Sequence, residues 1–203
     1  MHKIKNIFKL WGGELLIIFA LLFILNNFIG YEKITIKSDG EGYYDYLPAL
    51  FIYKDFPNNL DSDNYSDRIS NLGCYIKYKE LKVNKYPCGT AVLLSPFFVF
   101  ANLTATIQGY EKEGFSITYQ KAVLYAAFFY LFLALFFLKK LLILYKISRV
   151  NIFFVQIVTV FSTSLIQYVY SDAAFSHVYS FFAITAFLFL TKSYFINKKT
   201  KYF

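Results

Sequence analysis

The chain has 203 residues, of which 57% are hydrophobic, 22% aromatic and only 17% charged, with a formal net charge of +8. A soluble domain carries about 25% charged and roughly 45–50% apolar residues, so this balance excludes a disordered chain, a fibrous repeat and a disulfide-dense secreted scaffold, and argues against a soluble enzyme. Together with a mean hydropathy of +0.43 it predicts an integral membrane protein.

The first apolar run, residues 10–29, has the roughly 20 residues that a spanning helix needs. Lys3, Lys5 and Lys9 precede it, and its NNFIGYEK tail offers no small-residue cleavage site, so it reads as an uncleaved anchor. The next clear spans are 119–138, which ends on Lys139-Lys140, then 150–169, then 177–196, which runs into Lys198, Lys199 and Lys201. A further apolar stretch, 91–107, contains Pro96, Asn102, Thr104 and Thr106 and reads either as a span or as a surface-lying or re-entrant helix.

Charge placement selects between these readings, because short cytoplasmic segments concentrate Lys and Arg. If 91–107 does not span and the N-terminus is cytoplasmic, eleven basic residues fall on the inner side: Lys3, Lys5, Lys9, Lys139, Lys140, Lys146, Arg149, Lys192, Lys198, Lys199 and Lys201. Residues 30–118 are then external, with eleven acids and nine bases. A spanning 91–107 would carry the Lys139–Arg149 cluster outside. The expected fold is therefore all-α: a polytopic bundle of about four transmembrane helices with external juxtamembrane helices, in the cell (inner) membrane. The +8 follows from this topology; no basic stripe suits a nucleic acid.

About 90 external residues are too many for a structureless loop, and the region is expected to have its own structure. Ser38-Asp39-Gly40 is turn chemistry, with Ser or Asp able to cap a helix. From Gly42, Tyr43, Tyr46, Leu47, Leu50 and Phe51 follow helical spacing. Residues 61–73 are polar. The segment 76–83 alternates apolar residues with Lys and Glu, and Lys85-Tyr86-Pro87-Cys88-Gly89 leads into 91–107. Cys74 and Cys88 share this region, either bridged or as two thiols. Asn64-Tyr65-Ser66 and Asn102-Leu103-Thr104 match the glycosylation pattern, a frequent chance match.

Three carboxylates within seven residues, Asp39, Glu41 and Asp45, can bind a divalent cation or supply a general base; acids at a helix start also serve the macrodipole. Asp172 is the sole acid after Glu113 and sits in a short turn between two spans, with His177 five residues on. Ionisable groups at membrane edges are often functional, while an interfacial histidine also simply bonds a neighbouring helix. His-Glu-x-x-His, the Gly-rich phosphate loop, Gly-x-Ser-x-Gly and paired Cys-x-x-Cys are absent from the sequence, against a zinc protease, an ATPase and a serine hydrolase. The clear spans carry almost no ionisable residues apart from Glu14 and Lys121 near their ends, which speaks against a transporter.

In order and topology the chain resembles the multi-pass GT-C glycosyltransferases, which include the protein O-mannosyltransferases and the lipid A aminoarabinose transferases. SDGEGYYDYLPALF is similar to their acidic motif and first juxtamembrane helix, KYPCGTAVLLSPFFVFAN to their Tyr-Pro element and amphipathic helix, and YSDAAFSHVYSFF to their second external turn. The resemblance implies transfer of a sugar from a polyprenyl-phosphate donor to an acceptor at the extracytoplasmic face. Asp39 is then the general base and Glu41 its runner-up; Lys85 or Tyr86 holds the phosphate, and Asp45, Asp172 and His177 line the substrate pocket. Cofactors are not specified, a divalent cation being used in some branches. Lys85 precedes Tyr86-Pro87 here, and no Lys follows until Lys112. Family members have more spans, so the chain reads as the N-terminal part of a longer transferase. The competing expectation is a non-catalytic membrane scaffold or assembly subunit, or a degenerate remnant, with membrane protein partners.

Overall fold

In the computed structural model, residues 2–29, 34–54, 73–79, 81–107, 109 and 113–197 are described. The polar 61–72 segment, Asn64-Tyr65-Ser66, Lys112 and the Lys198–Lys201 cluster lie outside the described residues, as do the side chains of Lys3, Lys5 and Lys9. In chain order the elements are α1 (His2–Ile24) with a π-helical turn Leu25–Ile29, α2 (Asp39–Tyr44), α3 (Tyr46–Pro48) with a π-helical turn Ala49–Tyr53, β1 (Tyr75–Tyr78), β2 (Leu81–Asn84), α4 (Gly89–Ile107), α5 (Ile117–Leu144), α6 (Arg149–Phe161), α7 (Leu165–Tyr170) and α8 (Ser176–Asn197).

The protein is mostly helical, and three helices (Gly89–Ile107, Ile117–Leu144 and Ser176–Ile196) are long and apolar enough to cross a membrane. Three features differ from the sequence expectation. The alternating 76–83 segment is a β-hairpin, so the fold is not purely α: Tyr75 pairs with Asn84 and Tyr78 with Leu81 in an antiparallel ladder. The period-2 alternation is a strand signature. Second, α5 does not stop at Leu138 but runs through Lys139-Lys140 to Leu144, 28 residues in all. The following LLIL segment keeps the helix going. Third, 150–169 is two helices rather than one. Ser162 ends α6, its N–H bonding the Val158 carbonyl, and the Thr163 Oγ1 accepts from Leu165 N at 3.1 Å to start α7. Ser and Thr hydroxyls compete with the helical ladder in this way.

The chain divides into two units. The first comprises residues 1–31, 128–169 and 177–203, the second 32–127 and 170–176. In the first, Gly13 of α1 faces α6: a Cβ there would make ordinary contact with the Phe153 ring at 3.4 Å. Glu14, fully buried, accepts from Lys139 Nζ at 2.7 Å and from Gln156 Nε2 at 3.0 Å, and Gln156 also donates to the Leu135 carbonyl at 2.9 Å. A carboxylate this deep is tolerated only when paired and fully hydrogen-bonded. Rings of α5 and α8 interlock, Tyr130 with Tyr179 and Phe182, and Phe137 with Phe182 and Phe189. The outward side of α8 shows Ile184, Phe187, Leu188 and Phe195.

In the second unit α2 and α3 pack on α4. Tyr44 is buried between Phe98 and Phe115, and its hydroxyl donates to the Gly114 carbonyl at 2.5 Å. The core face of this helical stretch is thus Tyr44 and Leu47; the expected members Leu50 and Phe51 are exposed, and Tyr43 and Tyr46 half-buried. The π-helical turn Ala49–Tyr53 widens the helix after Pro48 and turns Leu50 and Phe51 off that face. Pro96 lies inside α4 without an N–H to give, and the Ser95 hydroxyl donates to the Val92 carbonyl instead, at 2.8 Å. At the start of α5, the buried Gln120 Oε1 accepts from the backbone N–H of both Thr35 and Ile36 at 2.8 Å, tying the segment before α2 to α5.

Candidate functional site

The acidic segment forms α2, only six residues long, and its backbone is reachable because two of those residues are glycines. A Cβ at Gly40 would come within 2.9 Å of Ala174 Cβ, and one at Gly42 within 2.1 Å of Tyr86 Cδ2. Glycine is thus required at both positions for close approach, not for an unusual backbone angle. The turn at 171–175, closed by Phe175 N bonding the Asp172 carbonyl at 2.9 Å, rests on Gly40; the Tyr86 ring rests on Gly42. Ser38, one of the two candidate caps, precedes the helix at φ 50° and its side chain makes no capping bond. Turn bonds from Gly40 N to Lys37 O and from Glu41 N to Ser38 O start the helix instead.

Tyr86 is fixed from four directions. Its backbone N–H donates to Asn84 Oδ1 at 3.0 Å, and its carbonyl accepts from the Tyr46 hydroxyl at 2.5 Å. Its ring lies 4.8 Å from Tyr43 and its hydroxyl donates to Asp39 Oδ1. The bond to Asp39, then burial and the Asp39 charge, push the Tyr86 hydroxyl up to about 12. Lys85 Nζ lies 5.2 Å from the centre of the same ring. Asp39 itself is exposed, and among the described residues its second oxygen, Oδ2, makes no hydrogen bond.

Asp45 has a different environment. It is fully buried and accepts from the Tyr75 hydroxyl of β1. Burial, then the Asp45 charge and that hydrogen bond, push Tyr75 up; burial, then Glu41 and Asp45, raise the Cys74 thiol. Cys74 is a buried thiol and Cys88 an exposed one. The three carboxylates therefore do not converge: Asp39 faces Tyr86 and Asp45 faces Tyr75. Among the described residues no group of three His, Cys, Asp or Glu side chains is arranged to hold a metal.

Asp172 accepts an ion pair from Lys37 at 3.6 Å, and Lys37 also donates to Ser171 Oγ at 3.0 Å. His177 belongs to the first unit, where its ring stacks flat on Tyr168 at 3.7 Å. Asn102 of the second glycosylation pattern lies in α4 and accepts from the Tyr119 hydroxyl at 2.9 Å, an engaged position rather than a free acceptor. Of the seven expected site residues, Asp39, Lys85 and Tyr86 form one group. Glu41 is half-buried on the same helix, Asp45 serves the hairpin, and Asp172 belongs to the turn resting on Gly40. Sequence reasoning missed Lys37, whose only signal is its place two residues before the acidic helix. Comparison with protein-family models, curated proteins and solved structures gives no match.

Proposed function

We propose that this is a polytopic protein of the cell membrane with a cytoplasmic N-terminus and spans at 10–29, 119–138, 150–169 and 177–196, and that it acts as a GT-C-type glycosyltransferase or as the N-terminal part of one. The observation that supports this reading is the state of Asp39: an exposed carboxylate with one oxygen held by Tyr86, the other open, and Lys85 beside the same ring. Within the second unit, the acidic helix touches both Tyr86 and the 171–175 turn, which belong to the other two segments of the resemblance.

In this mechanism Asp39 Oδ2 takes the proton of an acceptor hydroxyl while the hydroxyl oxygen bonds to the anomeric carbon of the sugar. The bond from that carbon to the donor phosphate oxygen breaks, and the polyprenyl phosphate leaves as an anion. Lys85 offsets the phosphate charge. Tyr86 orients Asp39 and, by occupying Oδ1, leaves one direction of attack. Glu41 is the alternative base; Asp45, buried and bonded to Tyr75, supports the fold of the site.

The test is sugar transfer in membranes carrying the chain, with a panel of radiolabelled polyprenyl-phosphate sugars. Asp39→Asn keeps the shape and the Tyr86 contact but removes the base, so the rate falls by about 10²–10⁴-fold. Undiminished transfer by Asp39→Asn overturns the assignment of Asp39. Absence of transfer with every donor supports the scaffold reading instead.

A further inference from the structure

We propose that a pocket of about 180 Å³ enclosed by α1, α5 and α6 in the first unit binds the phosphate head of an anionic phospholipid. The inference is independent of sugar transfer and concerns the other unit of the chain. It rests on charge. Lys139, Lys140 and Arg149 line the pocket together with one carboxylate, Glu14. Glu14 is already neutralised by Lys139 at 2.7 Å and held by Gln156 at 3.0 Å. Two positive charges remain. Lys140 lies 5.4 Å above the Phe136 ring, and neither Lys140 nor Arg149 has a carboxylate partner among the described residues. Lys140 is half-buried and Arg149 exposed at the cavity mouth, so both are free to take an anion, and the planar fork of Arg matches phosphate oxygens in pairs.

The remaining lining identifies that anion as belonging to a lipid. Ile143, Ile152 and Phe153 share the pocket with the cations, and Val150 and Phe154 of α6 are exposed nearby along the helix. A head group seated on Lys140 and Arg149 therefore has apolar surface beside it for the start of its acyl chains. Basic pockets between membrane helices bind anionic head groups on this principle. Gly12 leaves the floor open: a Cβ there would meet nothing within 4 Å. The Glu14–Lys139–Gln156 network forms the rigid wall and is satisfied without a ligand.

The experiment is native mass spectrometry of the purified full chain in detergent with mixed phosphatidylglycerol and phosphatidylcholine. One phosphatidylglycerol is expected to be retained per chain in preference to phosphatidylcholine. Lys140→Gln and Arg149→Gln should each weaken retention by roughly 5-fold, and by about 25-fold together. Gly12→Leu, which sends a side chain into open space and improves helix propensity, should abolish it without unfolding the chain. Lys146→Gln removes an equal charge outside the pocket and should leave retention unchanged. Equal retention of the two lipids, or equal losses for Lys146→Gln and Lys140→Gln, would overturn the site. Inorganic phosphate at millimolar concentration should not displace the lipid; full displacement would overturn the lipid assignment in favour of a free anion.

Discussion

Replacing Gly42 by Ala places a Cβ 2.1 Å from Tyr86 Cδ2, 2.7 Å from Cε2 and 3.0 Å from Cγ. Ordinary contact begins near 3.4 Å, so the ring must retreat by roughly 1.3 Å. It cannot do so freely, because its own backbone is tied to Asn84 and Tyr46 and its ring touches Tyr43. Overpacking of this kind costs about 1–3 kcal/mol, and the better helix propensity of Ala returns about 0.5–1 kcal/mol. The net expectation is a loss of about 1–2 kcal/mol, or roughly 3–6 °C in the thermal midpoint of a chain this size. Circular dichroism melting in detergent measures it, with Gly12→Ala as the control that meets no atoms and should melt no lower. The decisive step is a double-mutant cycle. In a Tyr86→Ala background the obstacle is gone, and Gly42→Ala should be neutral or slightly stabilising. An equal loss in both backgrounds would refute the packing argument.

Two further outcomes are expected. Lys139→Met leaves the fully buried Glu14 carboxylate without its counter-charge and should cost about 3–5 kcal/mol in detergent-denaturation titrations, whereas Glu14→Gln combined with Lys139→Met should recover most of that loss. Tyr86 supplies the pH test. Its hydroxyl is pushed up to about 12 in the folded chain, against about 10 when unfolded. Its contribution is therefore complete below pH 10 and declines as pH rises toward 12, because only the unfolded chain loses the proton in that window. Comparing melting midpoints of the wild type and Tyr86→Phe between pH 9 and 12 isolates this slope; identical curves would refute it.

Much of the helical plan was legible from local pattern. Apolar runs of fitting length gave helices at 89–107, 117–144 and 176–197, and the acids at 39–45 marked a helix start. What escaped was set by partners distant in sequence. Tyr44 rather than Tyr43 faces the core because Phe98 and Phe115 wait there, and the π-helical turn after Pro48 carries Leu50 and Phe51 outward. The Gln120 clasp on Thr35 and Ile36 joins residues 85 positions apart, and the Glu14–Lys139 pair joins residues 125 apart. From the sequence Glu14 was one acid near the end of an apolar run; only the fold shows why it is affordable. At the candidate site, the family likeness gave Asp39 and Tyr86 separate roles; their hydrogen bond appears only in the fold. Gly42, which permits the approach of Tyr86, gave no signal, since a helical glycine reads locally as a weak point rather than as a contact surface.

The interruption between α6 and α7 bears on the proposed span at 150–169. Thirteen residues of α6 rise only about 20 Å, short of a core about 30 Å thick. A broken helix at that depth frees backbone groups where no water can answer them. Here the segment brings its own substitutes. The Thr163 hydroxyl donates to the Thr159 carbonyl at 2.7 Å and accepts from Leu165 N, while Thr159 in turn donates to Val155 O at 2.8 Å. These hydroxyls act as covalently tethered solvent. The joint therefore needs no neighbouring helix to satisfy these particular groups.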